Sequence, residues 1–125
     1  AIEAKGFVIG GALAFKMRLP LVLIRKPGLI PGEVDSEKFE KEYGFGEYQV
    51  KIGKIKKGDN VLIAYDILAA PGAVWAAKNL VERSGGKVIG VAVVVELEYL
   101  KARDALDDLD IFSLVKINEK KLKDN

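Results

Sequence analysis

The chain has 125 residues, half of them apolar and 30% charged, with 20 basic and 18 acidic side chains and a net charge of +2. A chain of this length fits one folded domain that buries about two-thirds of its unfolded surface. It contains no cysteine and no histidine, which excludes disulfides, thiolate chemistry, imidazole metal sites and any Ser-His or Cys-His mechanism. No apolar run reaches the ~18 residues of a spanning helix, and no signal peptide is recognisable, so a soluble, cytoplasmic protein without a membrane partner is expected. Lysines gather at Lys51, Lys54, Lys56 and Lys57 and again at Lys116, Lys120, Lys121 and Lys123. Both groups have acidic neighbours and no interleaved aromatics, so they read as solvated faces and not as a nucleic-acid surface.

In chain order, residues 6 to about 18 are rich in Ala, Leu, Ile and Phe and predict a helix buried on most sides, closed by Pro20. Leu21-Val22-Leu23-Ile24 predicts a strand covered on both faces in a parallel sheet. Pro27-Gly28 and Pro31-Gly32 hold neither helix nor strand, and polar, acidic residues continue to Gly46. Residues 46–55 alternate, with Tyr48, Val50 and Ile52 set against Gln49 and Lys51, as a strand with one wet face does. Lys57-Gly58-Asp59-Asn60 predicts a turn. A second buried strand follows at 61–64, with Asp66 just past its carboxyl end. A helix from about 73 to 84 stops at the Gly85-Gly86 pair. Residues 88–97 form the longest β-branched run and predict a central strand. Residues 100–106 read as helix, 111–117 as a last strand, and 118–125 as a charged tail that frays. This order predicts one α/β domain over 1–125, a doubly wound, mostly parallel sheet flanked by helices, with no internal repeat.

Ligands of open α/β sheets bind beyond the carboxyl ends of the strands. Four segments converge there: Glu3 to Phe7, Arg25-Lys26, the Pro/Gly-rich loop through Tyr43, and Ala64 to Ala73. The last is a strand, an acidic residue, a small-residue loop and a helix start. Such a pattern is either a phosphate-ribose cradle, with backbone N–H groups on the phosphate and the carboxylate on sugar hydroxyls, or a plain turn.

The wording of these segments resembles the purine phosphoribosyltransferases, adenine phosphoribosyltransferases above all. Val61 through Ala77, VLIAYDILAAPGAVWAA, aligns without gaps to their phosphoribosyl-pyrophosphate (PRPP) motif. Ile2 to Phe7 is similar to the Glu-Ser-Arg-Gly-Phe pyrophosphate loop, and Arg25-Lys26-Pro27-Gly28 with Pro31-Gly32 to Arg-Lys-x-Gly-x-Leu-Pro-Gly. Glu42-Tyr43-Gly44 is similar to the mobile catalytic loop. Val95-Glu96-Leu97 with Leu100 to Arg103, and Phe112-Ser113-Leu114, match later stretches in the right order. The resemblance implies a type I phosphoribosyltransferase-like core and transfer of phosphoribose from PRPP to adenine, giving AMP and pyrophosphate, with Mg²⁺ carried by PRPP. It implies Lys5, Gly6, Arg25 and Lys26 on pyrophosphate, and Glu42 and Tyr43 on a loop that closes over the reacting centre. Asp66 would hold a ribose hydroxyl or the waters of the metal, which has no direct protein ligand. Ala69, Ala70, Pro71, Gly72 and Ala73 would wrap the 5′-phosphate. A homodimer is expected from the family. So is an N-terminal segment beyond this sequence, whose absence would leave an apolar edge to be covered.

Several positions depart from the family pattern. Tyr65 stands where the family has its first acidic residue, Ala70 and Ala73 replace threonines, and Pro71 replaces a glycine. Lys5 replaces an arginine, and Ala4 a serine. Three losses of a hydrogen bond to a charged group, each worth about 1.5–3 kcal/mol, predict weakened phosphate binding. The sequence therefore leaves three readings: a working or weakened adenine phosphoribosyltransferase, an inactive or engineered core of the same fold, and a regulatory protein that senses PRPP or purines. Trp75 reads as packing or a dimer contact and not as a base-stacking platform.

Overall fold

The computed structural model describes residues 1–41 and 43–118. The elements run α1 (Gly6–Met17), β1 (Val34–Glu40), β2 (Phe45–Lys51), β3 (Asn60–Leu68), α2 (Gly72–Arg83), β4 (Lys87–Leu97), a 3₁₀ turn (Glu98–Leu100), α3 (Ala102–Ala105) and β5 (Ile111–Ile117). β3, β4 and β5 form a parallel sheet in that order, flanked by helices, as the sequence pattern predicts. β4 packs on both faces, with Val91 and Val93 buried on one and Ala92 on the other, as suits its central place. The small and aliphatic residues of α2 (Val74, Ala77, Leu80 and Val81) recur at helical spacing and are all buried. Its end is a glycine-dependent cap. Gly85 has φ 97° and Gly86 N–H donates to the Val81 carbonyl at 3.0 Å. Among the described residues no helix is long and apolar enough to cross a membrane.

Five expectations are corrected. First, α1 is not buried on most sides. Only Gly6 and Gly10 are buried, while Val8, Phe15 and Met17 are exposed. Its composition reports apolarity without a face, and the close approach to β3 uses the glycines. Second, Leu21 to Ile24 is not a strand covered on both faces. Leu21 and Leu23 are exposed, and pairing is limited to a parallel bridge between Ile24 and Ile2 and an antiparallel one between Arg25 and Gln49. Third, the acidic stretch before Gly46 holds strand β1, paired antiparallel with β2 from Val34↔Lys51 to Glu40↔Phe45. β2 ends at Lys51, leaving Ile52 exposed. Fourth, Asp66 lies inside β3, which runs on to Leu68. Fifth, the helix expected at 100–106 is divided at Lys101, whose φ is 55°. Of the charged tail, 119–125 lie outside the described residues.

Isolated bridges join hairpin and sheet. Gln49 of β2 pairs with Arg25, Ile24 with Ile2, and Ile2 N–H donates to the Ala64 carbonyl of β3 at 3.1 Å. This ladder sets the hairpin beside the carboxyl end of β3 and against α2.

Candidate functional site

Glu3 organises the first side of the crevice. Its carboxylate accepts from Arg25 Nε at 3.1 Å and from the Lys26 backbone N–H at 3.2 Å, which holds residues 3–7 and 25–26 together. Arg25 also donates from Nη1 to the Leu29 carbonyl, and its guanidinium lies 6.0 Å from the Phe7 ring centroid. Gly6 is here because of space. A Cβ on it would stand 2.9 Å from the Ala64 carbonyl oxygen and 3.3 Å from Tyr65 Cα. Lys5, at the start of α1, is exposed.

Tyr65 and Asp66 follow on β3, both partly buried. Tyr65 packs beside Tyr48 of β2, and Tyr48 in turn stacks on Phe39 of β1 with centroids 5.1 Å apart and planes at 15°. Burial pushes the Tyr48 phenol well above its ordinary range, and Tyr65, Glu3 and Asp66 around it push the same way. Burial also raises Tyr65, against the effect of its hydrogen bond with Tyr48, and Asp66 adds to the rise. Both phenols stay neutral, so the first acidic position of the family motif carries no charge here.

The loop after β3 leads into α2 with Pro71 as its N-cap, at φ −79°. That angle suits proline, so the loop holds Pro71 without strain. No side chain caps the helix and its first turn has no acidic residue. The first-turn amides of Gly72, Ala73 and Val74 have no partner within the helix, so this end favours an anion. Ala70 is exposed and Ala73 is buried.

Between the hairpin and this helix end lies a cleft of about 1290 Å³. Lys26, Ala70, Pro71 and Gly72 line it, together with Lys38, Lys41, Phe39, Phe45, Tyr48 and Trp75. Lys5, Gly6, Arg25, Asp66, Ala69 and Ala73 do not line it. Of these, Arg25 is held by Glu3, and Gly6 packs on Tyr65; Glu3, Tyr65 and Asp66 surround Tyr48, which lines the cleft. Tyr43 sits near the hairpin tip, 86% exposed, and is not brought to the cleft. Glu42 lies outside the described residues. Trp75 is not core packing: it is 45% exposed on the cleft wall. Two contributors carry no role in the sequence reading, Glu3 and Tyr48. The Glu that opens the Glu-x-x-Gly loop signals the first, but nothing local signals the second. Among the described residues no group of three or more acidic side chains could hold a metal.

Comparison with known proteins decides the family. Over 115 residues the chain is 46% identical to the adenine phosphoribosyltransferase of Thermosipho africanus, covering 92% of this chain and 68% of that protein. The chain belongs to the adenine phosphoribosyltransferase family. Adenine phosphoribosyltransferase 1 of Triticum aestivum is 42% identical over 118 residues, covering 94% of the chain and 65% of that protein. The crystal structure of the Thermoanaerobacter pseudethanolicus adenine phosphoribosyltransferase superposes with a TM-score of 0.91 at 38% identity, covering 93% of this chain and 67% of that one. The yeast enzyme, crystallised with an imino-altritol bisphosphate and adenine, superposes at 0.87 and 36% identity, covering 91% of this chain and 64% of that one. The chain thus spans about two-thirds of the length of these relatives. No family model matches it.

Proposed function

We propose that the chain carries out adenine salvage, taking adenine and PRPP to AMP and pyrophosphate, with activity weakened by its altered phosphate loop. One observation carries this reading: family membership coincides with a crevice in which the Arg25-Lys26 turn, the Gly6 loop and the uncapped start of α2 surround the end of β3. Arg25 and Lys26, with Lys5 at the rim, would take the pyrophosphate; Arg25 is pre-oriented by Glu3, which lowers the cost of fixing its side chain. The backbone N–H groups from Ala69 to Ala73 would hold the 5′-phosphate, without the two threonine hydroxyls and without an N–H from Pro71.

In the transfer, the bond from the sugar C1 to pyrophosphate breaks with its electron pair leaving on pyrophosphate, adenine N9 bonds to C1, and the N9 proton passes to the departing pyrophosphate or to solvent water. Charge placed on a cationic sugar and an anionic leaving group does this work, so no histidine or cysteine nucleophile is needed. Asp66 would face the ribose hydroxyls. A Mg²⁺ would arrive on PRPP, and the Asp66 carboxylate, partly buried on β3, would hold its waters if it does not hold a ribose hydroxyl. Tyr43 would act only once the hairpin tip closes, and Glu42 is proposed for a catalytic role from the family resemblance. A homodimer is part of the proposal, supported by the exposed Val8, Phe15 and Met17 of α1. A cytoplasmic setting is also part of it.

Calorimetric titration with Mg²⁺-PRPP tests the site. Saturable binding is expected, and Arg25→Gln should weaken it roughly 10- to 100-fold, the loss of a charged hydrogen-bond donor. No heat at millimolar ligand would leave the chain as an inactive core of this fold.

A further inference from the structure

Val50 and Tyr48 of the hairpin pack in one core with α2, and among the described residues Arg83 makes the polar contacts that tie β1 to the far end of that helix. Arg83, the last residue of α2, donates from Nε to Asp35 Oδ2 at 3.0 Å and from Nη2 to Asp35 Oδ1 at 3.3 Å. Its Nη1 donates to Glu37 Oε2 at 2.7 Å, and Nη2 also to the Ser36 carbonyl at 2.7 Å. A planar, forked guanidinium can grip three consecutive residues in this way, and an ammonium cannot. At the other end of α2, Phe39 and the Glu40 carbonyl rest on Gly72, so close that a Cβ there would meet them at 2.8 and 2.9 Å.

Side chains alternate along a strand, so Asp35, Glu37 and Phe39 share one face of β1. Their burial agrees: the three are half-buried, and Ser36, Lys38 and Glu40 between them are exposed. Fixing Asp35 and Glu37 against α2 therefore fixes where Phe39 points. Phe39 is the ring that stacks on Tyr48 and walls the cleft at Gly72. A one-residue slip of β1 would turn Phe39 to the other face and open that wall. The hairpin continues from Phe39 to Tyr43 at its tip.

We propose that Arg83 is a positioning residue for the transfer. Through Asp35, Ser36 and Glu37 it sets the register of the hairpin, and so the placement of Phe39 on the wall of the cleft beside Gly72. This rests on the reading of that cleft as the PRPP site, but its first test needs no ligand. Amide hydrogen exchange is measured on the full chain and on Arg83→Gln, Arg83→Lys and the double variant Asp35→Asn/Glu37→Gln, with the emission of Trp75, the single tryptophan, recorded on the same samples. Exchange over residues 34–51 should rise about fivefold or more in Arg83→Gln and in the double variant, while β3 and β4 stay unchanged, as loss of an exposed ion-pair network implies. Trp75 emission should shift to the red, and Arg83→Lys should recover less than half of the change. In AMP formation, Arg83→Gln should lower kcat about fivefold with KM for PRPP held within twofold.

Unchanged exchange over 34–51 in both Arg83→Gln and the double variant would overturn the proposal. So would equal acceleration in β3 and β4, which would make Arg83 a general stabiliser, or a rise in KM with kcat unchanged. If the unaltered chain forms no AMP, the functional reading fails by itself, and exchange with Trp75 emission still decides whether Arg83 sets the hairpin.

Discussion

Glu96→Gln should cost the fold about 2–3 kcal/mol at pH 7. Glu96 lies in β4, is 3% exposed, and is the one charged residue among the buried side chains described. Its carboxylate accepts from Arg103 Nε (3.1 Å) and Nη2 (2.7 Å) and from Ser113 Oγ (2.6 Å). Arg103 also donates to the Ile111 carbonyl at 3.1 Å, so the network joins β4, α3 and β5. Glutamine keeps one acceptor but turns an N–H₂ group towards a donor and removes the charge. Breaking a fully buried pair from one side costs about 3–5 kcal/mol. Arg103 is 39% exposed and rehydrates, which brings the figure down to about 2–3 kcal/mol. Arg103 holds the Glu96 carboxyl below the ordinary carboxylate range, Ser113 assisting and burial opposing. Its folded value is therefore below its unfolded value near 4.3. The stabilisation is fully present above that unfolded value and is lost as pH falls through the folded one. Urea denaturation of both chains from pH 7 down to pH 3 reads this. The gap between them should be widest at neutral pH and narrow in acid. A loss under 0.5 kcal/mol at pH 7, on the scale of an ordinary surface change, would refute the reasoning, and so would a gap that does not narrow in acid.

Two further outcomes follow from the cleft. Gly72→Ala places a Cβ against the fixed Glu40 carbonyl as well as the Phe39 ring. It should destabilise by about 1–3 kcal/mol by overpacking and shift Trp75 emission, read by urea denaturation followed through fluorescence. The combined change Tyr65→Asp, Ala70→Thr, Pro71→Gly and Ala73→Thr restores the family pattern and should tighten Mg²⁺-PRPP binding at least tenfold by calorimetry. No gain would mean that the lost hydroxyls and charge are not what weakens the site.

The parallel core was legible because its signals are local. The β-branched run of β4, the apolar period of α2 and the Gly85 cap each act within a few residues. β1 was not legible, since Val34–Glu40 is acidic and polar and its strand is defined by pairing with β2, with Asp35 and Glu37 met by Arg83 from a distant segment. The exposed face of α1 was hidden for the opposite reason: a helix apolar all round carries no amphipathic stripe to say which side is covered. At the candidate site, the family resemblance points to Arg25, Lys26 and the 69–73 loop, and of these Lys26, Ala70, Pro71 and Gly72 line the cleft. The part played by Tyr48 was not legible, because its neighbours Tyr65, Phe39 and Glu3 are brought to it from three separate segments.

The central claim is tested most directly by incubating the purified chain with adenine and Mg²⁺-PRPP and separating the products chromatographically. AMP and pyrophosphate should appear in equal amounts, dependent on both substrates and reduced by Arg25→Gln. No AMP from the folded chain with PRPP and adenine at millimolar concentration would contradict it.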